Sequence, residues 1–155
     1  MKKRLYIAYG SNLNIFQMNR RCPTAKLVGV SEIKDYELVF RGVATIEKKK
    51  GSRVPVGVWE IEENDEKALD LYEGYPRFYK KEDFNVDLEG EKIKAMAYVM
   101  TSGHRLGMPS DYYFNVIYQG YKDNGLDVNV LNEAVKETAR KIVEKEETFM
   151  QWRWW

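Results

Sequence analysis

The stretch Tyr9-Gly10-Ser11-Asn12-Leu13 does most to decide how this chain folds. The apolar run Leu5-Tyr6-Ile7-Ala8 before it predicts a buried strand, and the segment Ile15–Met18 after it predicts the start of a helix. A strand, a glycine turn and a helix start in succession direct several backbone N–H groups toward one point, where a carboxylate or an oxyanion binds well. The pattern therefore predicts an anion-binding turn, although an ordinary capped turn between a strand and a helix has the same pattern.

Three residues of this turn have separate expected roles. Gly10 allows the chain to turn and lets a ligand approach the backbone closely. Ser11 or Asn12 is expected to cap the next helix with a side-chain oxygen. The backbone N–H groups of the turn then remain available to a ligand.

A second informative stretch runs from Leu69 to Tyr79 and predicts the end of a helix. Asn64 or Asp65 is expected to cap this helix at its start. Gly74 is expected to end it, and Pro76 two residues later prevents its continuation.

Glu73 therefore lies at a predicted helix C-terminus among several aromatic residues. The helix dipole and aromatic burial both disfavour its charge, so we expect its pKa to be raised. A carboxyl group with a raised pKa is a candidate general acid and base. The alternative is an exposed glutamate beside a glycine cap.

Together the two stretches resemble the γ-glutamylcyclotransferase-like family, including its AIG2-like and γ-glutamylamine cyclotransferase branches. The matching elements, in chain order, are Tyr9-Gly10-Ser11-Asn12-Leu13 after a strand, Glu73-Gly74 followed by Tyr79, Pro109-Ser110 at a helix start, Tyr113, and Gly125-Leu126. The resemblance covers roughly residues 4 to 127, and Val128 to Trp155 carries no matching motif.

The resemblance implies a fold, a reaction and a site. The fold would be α+β, a mixed and strongly curved sheet that closes into a small barrel surrounded by helices. The reaction would convert a γ-glutamyl amine or γ-glutamyl amino acid to 5-oxoproline and a free amine, with Glu73 as the catalytic residue. The short loop before Tyr79 favours these small substrates over glutathione. Substrate would be bound by Tyr9, Gly10, Ser11, Asn12, Leu13, Tyr79 and Tyr113, although plain core packing is the alternative for the last two.

Composition predicts a single domain over residues 1–155, in which 128–155 form a C-terminal helix and a Trp-rich tail. Lys and Arg number 25 and Asp and Glu number 24, so charge gives no case for a nucleic-acid or membrane partner. No apolar run approaches the roughly 20 residues that cross a bilayer. A lone cysteine, Cys22, indicates a reducing compartment, and we expect a cytoplasmic protein.

Strands and helices alternate along the chain. Predicted strands are Leu5–Ala8, Leu27–Val30, Tyr36–Phe40, Val43–Glu47, Val54–Ile61, Glu82–Leu88 and Ile93–Thr101, and predicted helices include Asp111–Lys122 and Val128–Glu146. The run Lys48–Arg53 is typical of a solvated hairpin tip. The tail Gln151-Trp152-Arg153-Trp154-Trp155 is too apolar to remain in water, so it either packs on the domain or forms a homodimer contact.

Other chemistries fit the sequence less well. Ser11 could serve a hydrolase or acyltransferase as nucleophile, but the chain has one histidine, His104, which more simply belongs to the loop that contains it. One histidine and one cysteine, Cys22, do not make a usual transition-metal site, and no nucleotide fingerprint is present, so we expect no metal and no cofactor. A non-catalytic binding module with the same cavity is the remaining alternative.

Overall fold

Five strands and four α-helices make up the chain, which a computed structural model describes over residues 3–154 and, at Trp154, for the backbone alone. The strands are β1 (Arg4–Ala8), β2 (Lys26–Arg41), β3 (Val43–Ile61), β4 (Tyr79–Leu88) and β5 (Glu91–Met100). The helices are α1 (Ile15–Arg21), α2 (Glu63–Glu73), α3 (Asp111–Asp123) and α4 (Val128–Trp154), and a short 3₁₀ turn covers Ser11–Leu13. The expected α+β class is confirmed.

The strands form one mixed sheet in the order β2-β3-β1-β5-β4. The short strand β1 is central, because it pairs antiparallel with β3 (Ile7 opposite Val58) and parallel with β5 (Tyr6 opposite Met96). The turn that follows β1 therefore lies in the middle of one sheet edge, between the ends of its neighbours.

The sheet is curved but does not close into a barrel, so that expectation is wrong. The outer strands β2 and β4 approach each other through side chains: the rings of Tyr36 and Phe84 lie edge to face with centroids 5.2 Å apart, and Lys34 lies 4.0 Å from Asp87. Within residues 3–154, no backbone ladder joins these two strands. Closure requires matched hydrogen bonds between the first and last strands, which these contacts do not provide.

Four of the predicted strands are joined into two long ones. Leu27–Val30 and Tyr36–Phe40 both belong to β2, and the two segments predicted on either side of Lys48–Arg53 both belong to β3. The run Lys48–Arg53 is not a hairpin tip, since it bulges opposite Asp35, whose Oδ1 accepts the N–H of Gly51 at 2.9 Å. The β2–β3 hairpin instead turns at residue 42.

The helix ends follow the predicted capping residues in part. Helix α2 begins two or three residues earlier than expected: Glu62 is its N-cap rather than Asn64 or Asp65, and Asp65 Oδ2 accepts the backbone N–H of Glu62 at 2.9 Å. Gly74 ends α2 with φ of 65°, as predicted. Ser110 caps α3, also as predicted.

Helix α4 continues through the segment that was predicted to be a separate tail. Its first half packs on the sheet through Leu131, which is fully buried, whereas Phe149 and Trp152 farther along are exposed. Trp152 is 81% exposed, so it does not pack back on the domain. The side chain of Trp154 and the whole of Trp155 lie outside the described residues. No helix of the described part is both long and apolar enough to span a membrane.

Candidate active site

A cavity of about 190 Å³ opens at the carboxyl end of the central strand β1. Residues from β1, the 3₁₀ turn, β3, α2, β4, β5, α3 and the loops beside them form its walls: Tyr6, Tyr9, Gly10, Ser11, Asn12, Val43, Ala44, Tyr72, Glu73, Phe78, Tyr79, Tyr98 and Tyr113. Glu73 is the only charged side chain in this set. The cavity is therefore a mostly aromatic pocket with one carboxyl group in its wall.

The turn after β1 presents unpaired backbone donors at this cavity. Within the 3₁₀ turn, the N–H of Leu13 donates to the carbonyl of Gly10 at 3.0 Å. The amides of Gly10, Ser11 and Asn12 donate to no acceptor among residues 3–154. Unpaired amides at the start of a helical turn beside a cavity suit an oxyanion or a carboxylate.

The expected capping role falls to a different residue. Asn14, not Ser11 or Asn12, caps α1, because its Oδ1 accepts the N–H of Gln17 at 3.0 Å. The side chains of Ser11 and Asn12 point elsewhere and hold the turn in place. The Ser11 hydroxyl shares a hydrogen bond of 3.0 Å with the hydroxyl of Tyr72. Asn12 Nδ2 donates to the hydroxyl of Tyr6 at 3.1 Å.

Two other residues of the turn differ in how they relate to the cavity. Leu13 is fully buried in the core and does not line the cavity. Gly10 has φ of −123°, so it does not occupy the left-handed region. A Cβ on Gly10 would lie 3.4 Å from Ala44 Cβ and 3.5 Å from the hydroxyl of Tyr113, which are ordinary contacts. A larger side chain would extend farther into the cavity wall.

Glu73 is the last residue of α2, and its carboxyl group is largely removed from water. It makes no hydrogen bond or ion pair with the other residues that the structure describes. Burial raises the pKa of Glu73 from 4.5 to about 7, and the positive charge of Arg21 opposes that rise. The raised pKa that its position predicted is confirmed. A carboxyl group with this pKa can both accept and return a proton near neutral pH.

A polar network fixes the end of α2 against the β4–β5 hairpin. The hydroxyl of Tyr98 donates to Asp70 Oδ1 at 2.6 Å, and Lys81 Nζ lies 2.9 Å from the same oxygen and 2.6 Å from Glu66 Oε2. The ammonium of Lys81 also lies 4.2 Å from the ring centroid of Tyr75. These contacts hold the helix turn that carries the cavity's carboxyl group.

Tyr79 and Tyr113 both bond to the backbone of one residue of β3, Ala44. The hydroxyl of Tyr79 donates to the carbonyl of Ala44 at 2.6 Å, and the N–H of Ala44 donates to the hydroxyl of Tyr113 at 3.1 Å. Burial raises the pKa of both phenols, so both stay protonated. The hydroxyl of Tyr113 accepts a bond there and donates to no acceptor among residues 3–154, so its proton is available to a ligand. Neither hydroxyl bonds to Glu73.

The predicted site residues thus come together, apart from Leu13, although their roles in binding and catalysis stay predictions. Sequence reasoning did not assign a role to Tyr6, Tyr72, Phe78 or Tyr98, which also line the cavity. Tyr72 and Phe78 flank Glu73 in the chain, so that aromatic cluster was the available signal. Tyr6 and Tyr98 lie inside strands. In the sequence of a strand, a tyrosine that faces a cavity cannot be told from one that packs in the core.

The residues needed for a serine nucleophile are not assembled. His104 Nε2 lies 3.2 Å from Thr101 Oγ1, and the His104 ring packs against the ring of Phe78 rather than lining the cavity. Ser11 therefore has no imidazole partner among residues 3–154. Cys22 is buried, and burial raises the pKa of its thiol to about 12. In the described part of the chain, no group of three or more potential metal ligands is present.

Comparisons with known proteins agree with this fold. The family model described as gamma-glutamyl cyclotransferase, AIG2-like, matches residues 6–115. A human protein named gamma-glutamylcyclotransferase is 30% identical over 169 aligned positions, which cover 93% of this chain and 89% of that one. A bovine protein of the same name is 33% identical over 136 positions, covering 79% and 72%. A solved structure named gamma-glutamyl cyclotransferase superimposes with a TM-score of 0.78 at 28% identity, covering 86% of each chain.

The fold and the cavity, taken with these relatives, define a small α+β enzyme of the cyclotransferase class. The chain belongs to the γ-glutamyl cyclotransferase, AIG2-like family.

Proposed function

We propose that this enzyme cyclises a γ-glutamyl amine or a γ-glutamyl amino acid to 5-oxoproline and releases the free amine, with Glu73 as the catalytic acid and base. The observation that carries the proposal is the placement of one carboxyl group, with a pKa of about 7, in a cavity that also exposes unpaired backbone amides.

The substrate carries its own nucleophile in this reaction. Its α-amine attacks the γ-carbonyl carbon, a new C–N bond closes a five-membered ring, and the C–N bond to the leaving amine breaks. The enzyme must hold the glutamyl chain folded, so that the amine and the carbonyl are within attack distance. A mostly aromatic cavity of about 190 Å³ is suited to holding a short chain in one folded conformation.

Glu73 would carry out both proton transfers. An α-ammonium group has a pKa near 8, so an ordinary glutamate with a pKa of about 4.3 would be a weak base for it. The pKa of about 7 at Glu73 lies much closer to that of the amine, which eases removal of the ammonium proton. The protonated carboxyl then donates this proton to the departing nitrogen. The ring nitrogen gives up its second proton as the lactam forms, and the released amine carries that proton away as an ammonium ion, so Glu73 returns to its starting carboxylate state.

The turn after β1 and one phenol would bind the developing negative charge. The amides of Gly10, Ser11 and Asn12 are unpaired, and the hydroxyl of Tyr113 lies close to Gly10 and keeps a proton to donate. Donors fixed before the reaction stabilise an oxyanion without a reorganisation cost. We assign them to the γ-carbonyl oxygen and the α-carboxylate of the substrate.

The walls of the cavity support small substrates. Val43 and Phe78 contribute apolar surface, and Phe78 is partly exposed at 37%. Such surface accommodates an apolar leaving group, and the short loop between Glu73 and Tyr79 leaves little wall for a longer peptide. The substrate class is therefore a γ-glutamyl amine or a γ-glutamyl amino acid rather than glutathione.

A substrate panel tests the proposal. The enzyme is incubated with γ-glutamyl-L-alanine, γ-glutamyl amides of small amines, and glutathione, and 5-oxoproline is measured by mass spectrometry. We expect 5-oxoproline from the first two kinds of substrate, in equal amount to the released amine. Release of glutamate would instead support a hydrolase using Ser11, and saturable binding of all substrates without product would support a non-catalytic binding module.

We also propose that the far end of α4 forms a homodimer contact. Val143, Phe149, Met150 and Trp152 are all at least half exposed on this segment. Phe149 and Trp152 are three residues apart on one face of the helix, and exposed large apolar side chains that lie together are typical of an interaction surface. Light scattering on a size-exclusion column should give twice the chain mass of 18.3 kDa. The double substitution Phe149→Glu and Trp152→Glu should give the monomer, and a monomeric wild-type protein would contradict the proposal. A cytoplasmic location stays a prediction.

A further inference from the structure

Arg21, at the end of α1, lies directly behind the cavity wall without lining it. Its Nη1 donates to Asn12 Oδ1 at 2.6 Å, and its guanidinium carbon lies 3.5 Å from the ring centroid of Tyr72. One side chain therefore contacts two cavity residues from two different elements. These contacts join positions that are 9 and 51 residues away along the chain.

We propose that Arg21 is a positioning residue for the reaction, which fixes the donor turn against Tyr72, the residue before Glu73, and places a positive charge near that acid. The inference rests on the proposed function for its catalytic consequence. The geometric part of the inference rests on the two contacts of the Arg21 guanidinium group.

The contacts form a closed circuit that ends at the residue before the acid. Arg21 holds Asn12, the preceding residue Ser11 bonds to the hydroxyl of Tyr72 at 3.0 Å, and the ring of Tyr72 stacks on Arg21 again. Tyr72 immediately precedes Glu73, so a shift of this ring moves the backbone that carries the acid. A planar guanidinium group can stack on a ring and donate sideways at the same time, which an ammonium group cannot do.

The same side chain sets the charge around Glu73. The groups that face this carboxyl from the surrounding elements are Arg21 from α1, Tyr6 and Tyr9 from β1 and the segment after it, Tyr72 from α2, Tyr79 from β4 and Tyr113 from α3. Burial raises the pKa of the Tyr6, Tyr9, Tyr79 and Tyr113 phenols, so they are neutral in this range. Arg21 is then the one cation within the described residues that favours the ionised, basic form of Glu73.

Three substitutions separate positioning from general stability. Arg21→Met removes the charge and the hydrogen bond but keeps an apolar stem. Arg21→Lys keeps the charge but loses the planar fork. Arg20→Met is the matched control, because Arg20 is the neighbouring residue on the same helix and lies over the exposed ring of Phe16, away from the cavity.

The first measurement is the pH profile of kcat. We expect Arg21→Met to lower kcat at neutral pH on the order of 10-fold or more, because the donor turn and Glu73 are no longer held in a fixed relative position. Its acid limb should move upward by about one pH unit, since the ionised form of Glu73 has lost its cation. Arg21→Lys should keep the wild-type limb and still lower kcat, and Arg20→Met should change neither.

The second measurement needs no turnover. The pKa of Glu73 is read by ¹³C-carboxyl NMR in the wild-type protein and in each variant, with Glu73→Gln assigning the signal. Arg21→Met should raise this pKa, whereas Arg21→Lys and Arg20→Met should not. If the wild-type enzyme made no 5-oxoproline, the proposed function would fail, and this titration would still test the effect of Arg21.

Two results would overturn the inference. One is an Arg21→Met protein with the wild-type kcat and the wild-type acid limb. The other is an equal change in Arg20→Met, which would mark a general effect of charge. If Arg21→Met did not fold, as judged by circular dichroism, Arg21→Lys would decide the matter, because a wild-type kcat in that variant contradicts the need for a guanidinium group.

Discussion

The hydroxyl of Tyr72 lies 3.0 Å from the hydroxyl of Ser11, so the residue before Glu73 contacts the turn on the other side of the cavity. This single bond joins the end of α2 to the turn after β1. The two sequence stretches that carry the family resemblance are therefore in direct contact in the structure. The proposed acid and the proposed oxyanion donors are held by one connected set of side chains.

The first prediction concerns the chemistry of Glu73. Glu73→Gln keeps the shape of the side chain and cannot transfer a proton, so we expect substrate binding to persist while kcat falls on the order of 10²–10⁴-fold. Glu63→Gln is the matched control, since Glu63 lies exposed at the start of the same helix. Turnover within a few-fold of wild type in Glu73→Gln would refute the assignment.

The second prediction concerns the pH dependence of stability. The pKa of Glu73 is about 7 in the folded protein and near 4.5 when unfolded, so the unfolded state ionises first as pH rises. Between these two values unfolding releases a proton, and the free energy of unfolding of wild type falls by about 3 kcal/mol in total. Below pH 4 this loss of stability is absent, and above pH 8 it has reached its full size.

Glu73→Gln does not titrate and should escape this loss. Denaturant unfolding at pH 4 and pH 8 gives the free energy of unfolding of both proteins. The difference between the two proteins isolates the contribution of Glu73, because all other groups titrate alike in both. We expect Glu73→Gln to gain stability relative to wild type on going to pH 8. A difference that is constant with pH would mean that the pKa of Glu73 is ordinary.

A third prediction compares two substitutions in the donor turn. Ser11→Ala keeps the backbone N–H and removes one hydrogen bond to Tyr72, so its loss of activity should be modest, in line with a bond worth about 1 kcal/mol. Gly10→Val adds methyl groups beside Ala44 and Tyr113, where even a Cβ is already in contact. Activity should fall far more in Gly10→Val, with the far-ultraviolet circular dichroism spectrum retained. The reverse order would favour a serine nucleophile.

A fourth prediction concerns Gly120 on α3, which lies against the turn from the other side. A Cβ on Gly120 would come within 2.6 Å of Asn14 N and of the carbonyl carbon of Leu13. Alanine in a helix is ordinarily better than glycine by about 1 kcal/mol. Here the backbone of the turn would have to move, so Gly120→Ala should lower stability by about 1–3 kcal/mol.

The displaced turn should also lower kcat in Gly120→Ala. Asn115→Ala is the control, because Asn115 is exposed on the same helix. Thermal unfolding and steady-state kinetics measure the two effects. An increase in stability with full activity would show that α3 does not hold the turn.

The features that sequence reasoning predicted well depend on local chemistry. Gly74 ends α2 and Ser110 caps α3 because a left-handed cap and a hydroxyl N-cap are decided within a few residues. The raised pKa of Glu73 follows from burial, which its aromatic neighbours in the chain indicated. Strong local signals of this kind can be read without tertiary information.

The features that were missed depend on contacts between distant residues. Asp35 pairs with the bulge at Gly51, so two strands continue where polarity alone indicated loops. Arg21 stands beside Arg20 in a basic pair, and only the folded chain shows which of the two contacts Tyr72. The failure of the sheet to close likewise depends on how the outer strands meet, which no local pattern encodes.

The identity and oxygen content of the product test the central claim most directly. Wild-type enzyme is incubated with γ-glutamyl-L-alanine in H₂¹⁸O, and the products are analysed by mass spectrometry. Attack by the substrate's own amine predicts one 5-oxoproline for each alanine released, with no ¹⁸O in the product. Glutamate that carries ¹⁸O would show attack by water and would contradict the account.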